Sequence, residues 1–305
     1  MVTRQRTPWH ALRRTRRLYL YLVPTFAFLA LFNYYPAASA LYHAFFDWDG
    51  VNRATFTGLD NFVQMAHDPV LIASVPHMAF LVLASLVVGL TVPLLVAELI
   101  FSLRDGRWSY LYRLLFVVPI VVPLIVVILL WEFVLDPTVG ILNGVLTPLH
   151  IVAPYTDWLG DPRIALYSLA LVGFPWVSGV SVLIYLAGLQ GISSSVLDAA
   201  LLDGATGWRR LRHIDLPLVL GQVKILSVLG IINGVQGFGL QFVMTNGGPG
   251  DATMVPGFDM YQQAFVDGKF GYGSAIGLVL FVVILIFTYL NLRFVRSSVE
   301  YDAGA

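Results

Sequence analysis

Six stretches of this chain are apolar enough and long enough to cross a lipid bilayer, and this constrains its fold more than any other feature. A bilayer core takes about 20 apolar residues per helix. The stretches lie at 18–45, 78–101, 111–135, 164–189, 216–239 and 272–295, and the second can also begin earlier, near Val70. At that depth every backbone amide and carbonyl must be paired internally, and runs this long and apolar do so as helices. Pro93, Pro119, Pro123 and Pro175 fall inside the runs, where membrane helices tolerate them as kinks. Charged residues make up only 12% of the 305, against roughly 25% in soluble chains. The expected fold is an all-α, multi-pass membrane protein of six transmembrane helices.

Lys and Arg set the orientation. With the N-terminus inside the cell, Arg53, Arg163 and Lys269 fall outside, and the other fifteen of the 18 basic residues fall inside. That asymmetry fits six spans with both termini cytoplasmic; an odd number would spoil it. Residues 1–17 are then a basic cytoplasmic arm, 18–296 the membrane domain and 297–305 a cytoplasmic tail. The first span has a rival reading. A basic start, an apolar run and Ala38-Ser39-Ala40 resemble a signal peptide with its cleavage site. The run is longer than such peptides use and Pro36 interrupts it, so an uncleaved helix is expected.

Several chemistries are excluded. There is no cysteine, which removes disulfides, zinc–thiolate sites and iron–sulfur clusters. A net charge of zero gives no reason to expect nucleic acid. His77, His150 and His213 have no partner at ligand spacing, so no metal site is expected. Glu98, near the inner end of the second span, is expected to snorkel or to meet Arg104; Glu132, near the outer end of the third, reads similarly. No phosphate-binding loop is present: Gly268-Lys269 is followed by Phe270, with Gln263 where the first glycine belongs. Neither His-Glu-x-x-His nor Gly-x-Ser-x-Gly occurs, which leaves no signature of an intramembrane enzyme.

Residues 191–215, between the fourth and fifth spans, form the longest inside loop, polar and basic toward its end. Ser195 and Asp198 stand at capping-box spacing and predict a helix over 196–202. Asp203-Gly204 breaks it, since glycine takes the left-handed conformation cheaply. A second helix over 205–213 presents Trp208, Leu211 and Ile214 as an apolar ridge, and Pro217 suits the first turn of the fifth span. Composition alone allows an alternative: a helix lying in the lipid interface, with Arg209, Arg210 and Arg212 on anionic headgroups.

The spacing favours a compact helix–turn–helix knob on the cytoplasmic face. Asp198-Ala199-Ala200, Asp203-Gly204-Ala205 and Ile214-Asp215-Leu216-Pro217 together resemble the cytoplasmic signature of ABC importer permeases, Glu-Ala-Ala-x-x-x-Gly followed by Ile-x-Leu-Pro. Departures are Asp198 for Glu, Ser193 for a frequent Pro and Leu211 for Phe. The likeness runs through most of the chain. Tyr35-Pro36, Thr57-Gly58-Leu59-Asp60-Asn61-Phe62, Gly140-Ile141-Leu142-Asn143, Thr245-Asn246-Gly247-Gly248-Pro249-Gly250 and Phe270-Gly271-Tyr272-Gly273 fall in the order of carbohydrate permeases of the maltose type.

The resemblance implies the type I importer fold with a cytoplasmic coupling helix. It implies a second permease, two ATP-binding subunits that hold ATP and Mg, an external solute-binding protein and a sugar substrate. Residues Asp198, Ala199, Ala200, Asp203, Gly204 and Ala205 would couple to the ATPase. This chain would hold no cofactor and catalyse nothing, in a bacterial inner membrane.

Sugar sites combine aromatic faces with neutral hydrogen-bonding groups. Asn233 and Gln236, three apart on the fifth helix, share a face in an ideal helix; Trp176 and Tyr185 lie on the fourth span. The bland reading of the amides is interhelical hydrogen bonding. Gly230, Gly234, Gly237 and Gly239 are expected to allow close helix contact. The rival function is an ion-coupled secondary transporter, which needs coupling carboxylates or broken helices near the midplane; that the spans are nearly free of internal charge counts against it.

Overall fold

The computed structural model describes residues 20–52, 54–103 and 106–294; the expected basic arm and C-terminal tail lie outside these. Among the described residues the chain is helical, apart from β1 (Phe46–Asp47) paired antiparallel with β2 (Thr55–Phe56) in the first outer loop. Helix α1 runs Leu20–His43 with a π-helical turn at Ala30–Tyr34, and Ala38-Ser39-Ala40 lie inside it. After a short α2 (Asp60–Met65) comes α3, the 33-residue helix Pro69–Phe101. The longer form of the second span is therefore the correct one. Its start is fixed by Asp68, whose side chain accepts from the Val70 and Leu71 amides at 3.0 and 3.2 Å, with Pro69 in the first turn.

Two expected spans are bent. The third divides into α4 (Gly106–Val121) and α5 (Leu124–Val134), which meet at 93°. Pro123 has no amide to donate, and it pushes Val122 out of the helical region, to ψ 121°. After α6 (Ile141–Leu146) in the outer loop, the fourth span divides into α7 (Ala165–Leu171) and α8 (Gly179–Gln190). Between them Gly173 and Trp176 take φ of 87° and 57°. Pro93, by contrast, sits within an unbroken α3.

The inside loop folds as α9 (Ser194–Leu202) and α10 (Gly207–Arg210), the latter continuing into a π-helical turn at Leu211–Asp215. The fifth span is α11 (Leu220–Gln236), broken at Gly237 and resumed as α12 (Gly239–Met244). It thus reaches beyond residue 239. The last outer loop carries α13 (Pro256–Tyr261), and α14 (Phe270–Phe294) is the sixth span.

Helix α3 is the spine. Its inner half packs Leu94, Ala97 and Ile100 against Val182, Tyr185, Leu186 and Leu189 of α8. Its outer half brings Leu71 to Val235 of α11 and to Tyr272 and Ile276 of α14. A Cβ on Gly230 would come within 2.7 Å of Leu86, and one on Gly234 within 3.0 Å of Val82, so those two glycines do admit close contact with α3. Gly237 and Gly239 do not: they flank the break in the fifth span, and Gly239 faces open space. In α1 no residue of the most apolar window is buried.

Candidate functional site

The inside loop is shaped first by how α9 stops. Gly204 takes φ +69°, the Ala205 amide donates to Ala200 O at 2.8 Å, and the Gly204 amide donates to Leu201 O at 3.1 Å. This pair of bonds is the Schellman closure, which satisfies carbonyls that a helix end leaves open. A Cβ at Gly204 would touch nothing within 4 Å, so the demand for glycine is purely conformational. The start of α9 differs from expectation. Ser193 is the N-cap residue, no side chain caps the helix, and the Ser193 hydroxyl instead lies 3.1 Å from that of Ser195. The Ser195–Asp198 capping box does not form, because the helix begins one turn-fraction earlier, at Ser194.

The exposed surface of this loop is apolar at its tips. Leu202 is 89% exposed and Trp208 71%, with Leu201 and Val196 also open. Asp198, Ala199, Asp203 and Gly204 share that exposure, Ala205 is half-buried and Ala200 is buried. The predicted ridge is corrected: Leu211 turns into the protein and Ile214 is half-buried, so Trp208 is the ridge residue left outside. The second helix is also shorter than 205–213, since the backbone widens into the π-turn at Leu211.

Arg210 explains that geometry. Its Nε donates to Asp215 Oδ2 at 2.8 Å, and its Nη2 donates to Glu98 Oε1 at the inner end of α3. The Asp215 side chain has no exposure, and the guanidinium lies over the Phe101 ring, 5.5 Å from its centroid. Burial works against the charge on Arg210, yet the two carboxylates outweigh it and hold its pKa above the ordinary value. Glu98 therefore meets Arg210; the expected partner Arg104 lies outside the described residues. Arg210 is likewise withdrawn from the basic face that a lipid-surface helix would use. Sequence proximity did not suggest Arg210 as a partner; the usable signal was an acidic residue, Asp215, placed to follow Arg210 by about one turn.

The candidate pathway residues separate into three places. Trp176 and Asn233 line one cavity of about 340 Å³, together with Ser85, Leu124, Phe238 and Gln241. It opens where the fourth and fifth spans both break, so the two irregular segments make its wall. The Trp176 indole is steadied by a 3.2 Å bond from Nε1 to Ala170 O. Gln236 faces a different cavity, beside Gly257, Met260 and Gly277, because three residues of helix still rotate a side chain some 60° off its neighbour. Tyr185 is wholly buried in the α3–α8 core and reaches neither cavity. Gln241, only 5% exposed, was not foreseen; it belongs to the cavity because the span runs past 239.

Residues 89–299 match the family model for the binding-protein-dependent transport system inner membrane component. The chain belongs to this family. The permease is 31% identical over 288 residues to the “Probable ABC transporter permease protein YurN” of Bacillus subtilis, covering 92% of this chain and 97% of that one. It is 31% identical to the diacetylchitobiose uptake system permease protein NgcF of Streptomyces coelicolor, covering 87% of this chain and 78% of the relative. Its fold matches a chain of a bacterial alginate ABC transporter, solved with an alginate pentasaccharide-bound periplasmic protein, at a TM-score of 0.80 and 22% identity, covering 95% and 99%. The permease is thus a multi-pass inner-membrane subunit of an ATP-driven, binding-protein-dependent importer.

Proposed function

We propose that this permease carries a sugar or a sugar-like solute, forming half of a pathway completed by a second permease. The observation that carries the coupling half of this reading is the cluster of apolar tips Leu201, Leu202 and Trp208 on an otherwise polar inside loop. Apolar side chains left open on a loop with a defined helical fold suit docking to another protein. Two ATP-binding subunits supply the motor and hold ATP and Mg; this chain binds neither and is not itself catalytic. Asp198, Ala199, Asp203, Gly204 and Ala205 make the contact, with the buried Ala200 seating the helix from beneath, and closure of the motor moves the loop as a lever, which rocks the spans between inward- and outward-facing states.

Support for a sugar comes from the cavity between the broken spans, where the Trp176 ring stands with two amides, Asn233 and Gln241. Relatives named for diacetylchitobiose and sn-glycerol-3-phosphate transport agree with that class of solute. Tyr185, lodged in the core, is kept as a support for α8 rather than a contact, and Gln236 as lining of the neighbouring space. Both termini lie in the cytoplasm, and the apolar α1 is covered by the second permease and by lipid. Broken spans also occur in ion-coupled transporters, but Glu98 is engaged by Arg210 and the family is that of binding-protein-dependent systems, so ion coupling is the weaker reading.

The test is reconstitution in proteoliposomes with the companion permease, ATPase and solute-binding protein. ATP-dependent, saturable uptake of a labelled oligosaccharide is expected. A complex without an ATPase, or one indifferent to every sugar and polyol ester tried, sinks the reading. Because the chain has no native cysteine, Leu202→Cys reports orientation directly: a membrane-impermeant maleimide should reach it only from the cytoplasmic side.

A further inference from the structure

We propose that Arg210 is the positioning residue that makes the coupling segment and α3 move as one body, so that motion delivered to α9 reaches the outer surface along α3. The inference rests on the reading above, in which α9 meets an ATPase. Its first support is connectivity. Arg210 binds Asp215 within its own segment and Glu98 112 positions away on α3. Few contacts are as directional as a guanidinium fork held between two carboxylates.

The second support is burial. Side-chain exposures are 24% for Arg210, 13% for Glu98 and 0% for Asp215. Among the described residues, Glu98 Oε2 and Asp215 Oδ1 find no hydrogen-bond partner. Apolar residues of similar volume hold such a place at least as stably. What the charges add is a fixed distance and angle between the loop and α3.

The third support is where α3 leads. Its 33 residues span roughly 50 Å at the helical rise. At the outer end Asp68 Oδ2 accepts from the Tyr272 hydroxyl at 2.8 Å, fastening α3 to the start of α14. About two and a half turns further in, the His77 ring nitrogen Nδ1 meets Met254 O at 3.0 Å. Met254, Val255 and Phe258 of the last outer loop pack on Val70, Met78 and Leu81 of α3. One helix therefore joins a charged clamp inside to the outer loops, and a rigid element biased from both ends is the physical requirement for coupling.

The experiment uses the full complex in proteoliposomes and compares wild type with Arg210→Met and with the neutral triple Glu98→Gln/Arg210→Met/Asp215→Asn. The triple leaves no buried charge unpaired, so it guards against simple misfolding. Two quantities are read: ATPase activity with solute-loaded binding protein divided by basal activity, and maleimide labelling of His67→Cys, an exposed site just before α3, with and without vanadate trapping. A residue serving folding alone lowers complex yield and leaves both unchanged. The expected result is basal ATPase retained, stimulation down by about tenfold or more, within the range of allosteric coupling energies, and labelling that no longer responds to trapping. Arg210→Lys, which engages one carboxylate at a time, should recover part of the stimulation.

Wild-type stimulation in either assembled variant overturns the proposal. Failure of both variants to assemble also overturns it, by showing that the charges serve folding. If the wild-type complex itself carries no ATPase, the underlying functional reading fails first and the proposal with it.

Discussion

The inside loop and the cavity between the broken spans are both places where a helix is interrupted, but they are interrupted differently. At Gly204 the Asp203, Gly204 and Ala205 amides all find carbonyls, Gly204 and Gly207 absorb the turn at positive φ, and Leu201, Leu202 and Trp208 are exposed. At 172–178 and 237–238 the chain opens at two breaks that face each other, and what lines the gap is one indole and a few amides. The first interruption makes a stiff surface for a protein. The second makes a small, weakly polar chamber, which suits a solute that passes through and is selected elsewhere.

The contrast can be broken most severely at its stiff end. Gly204→Val forces a β-branched residue into the left-handed region, at a cost on the order of 1–2 kcal/mol. Uptake in cells should fall by an order of magnitude or more, with the complex still in the membrane; normal uptake would remove Gly204 from the coupling role. Leu202→Asp should come next. The side chain touches little in this subunit, so subunit stability should shift by no more than about 0.5 kcal/mol, while co-purification of the ATPase should drop sharply. An unchanged ATPase yield would move the docking surface away from α9.

The chamber should respond more gently. Asn233→Ala removes one hydrogen-bonding group, worth about 0.5–1.5 kcal/mol, so half-saturation for transport-coupled ATPase should rise by about two- to tenfold with basal activity intact. Gln236→Ala, facing the other cavity, should leave it alone; equal effects would mean the two cavities are one pathway.

The smallest effect lies in the outer loop. Burial raises the Asp259 carboxyl above its ordinary value, a hydrogen bond from Gln263 offsetting only part of that. A raised folded-state pKa means that full stability is present below the ordinary carboxylate range and is lost as pH rises through the interval between the unfolded and folded values. Asp259→Asn should therefore raise the melting temperature of the purified complex at neutral pH, by about 2 °C. The gain should vanish in acid. A gain of equal size at both pH values would assign it to packing.

Hydropathy carried the spans, because the cost of an unpaired backbone in lipid leaves so few solutions. It did not carry the breaks. Pro93 and Pro123 look alike in the sequence, yet one lies in an unbroken helix and the other at a right-angled corner. The difference lies in what packs around each, and no local pattern states that. The Schellman stop was legible because a single glycine encodes it. The Glu98–Arg210 clamp was not, since its partners come from distant parts of the chain, and a nearer arginine offered itself first. Trp176 and Asn233 share a wall for the same long-range reason, whereas Tyr185 was drawn into the core by neighbours that the helical period cannot name.

Helix α1 meets its own subunit along its outer part, where Tyr35–His43 pack on α14, and the rest of it stands clear. In water such a rod would aggregate, but lipid chains satisfy it as well as protein does, so greasiness alone gives it no reason to choose a companion. Whatever recruits it must do so by contour, ridge against groove, and mispairing between related importers in one membrane would then be prevented by shape.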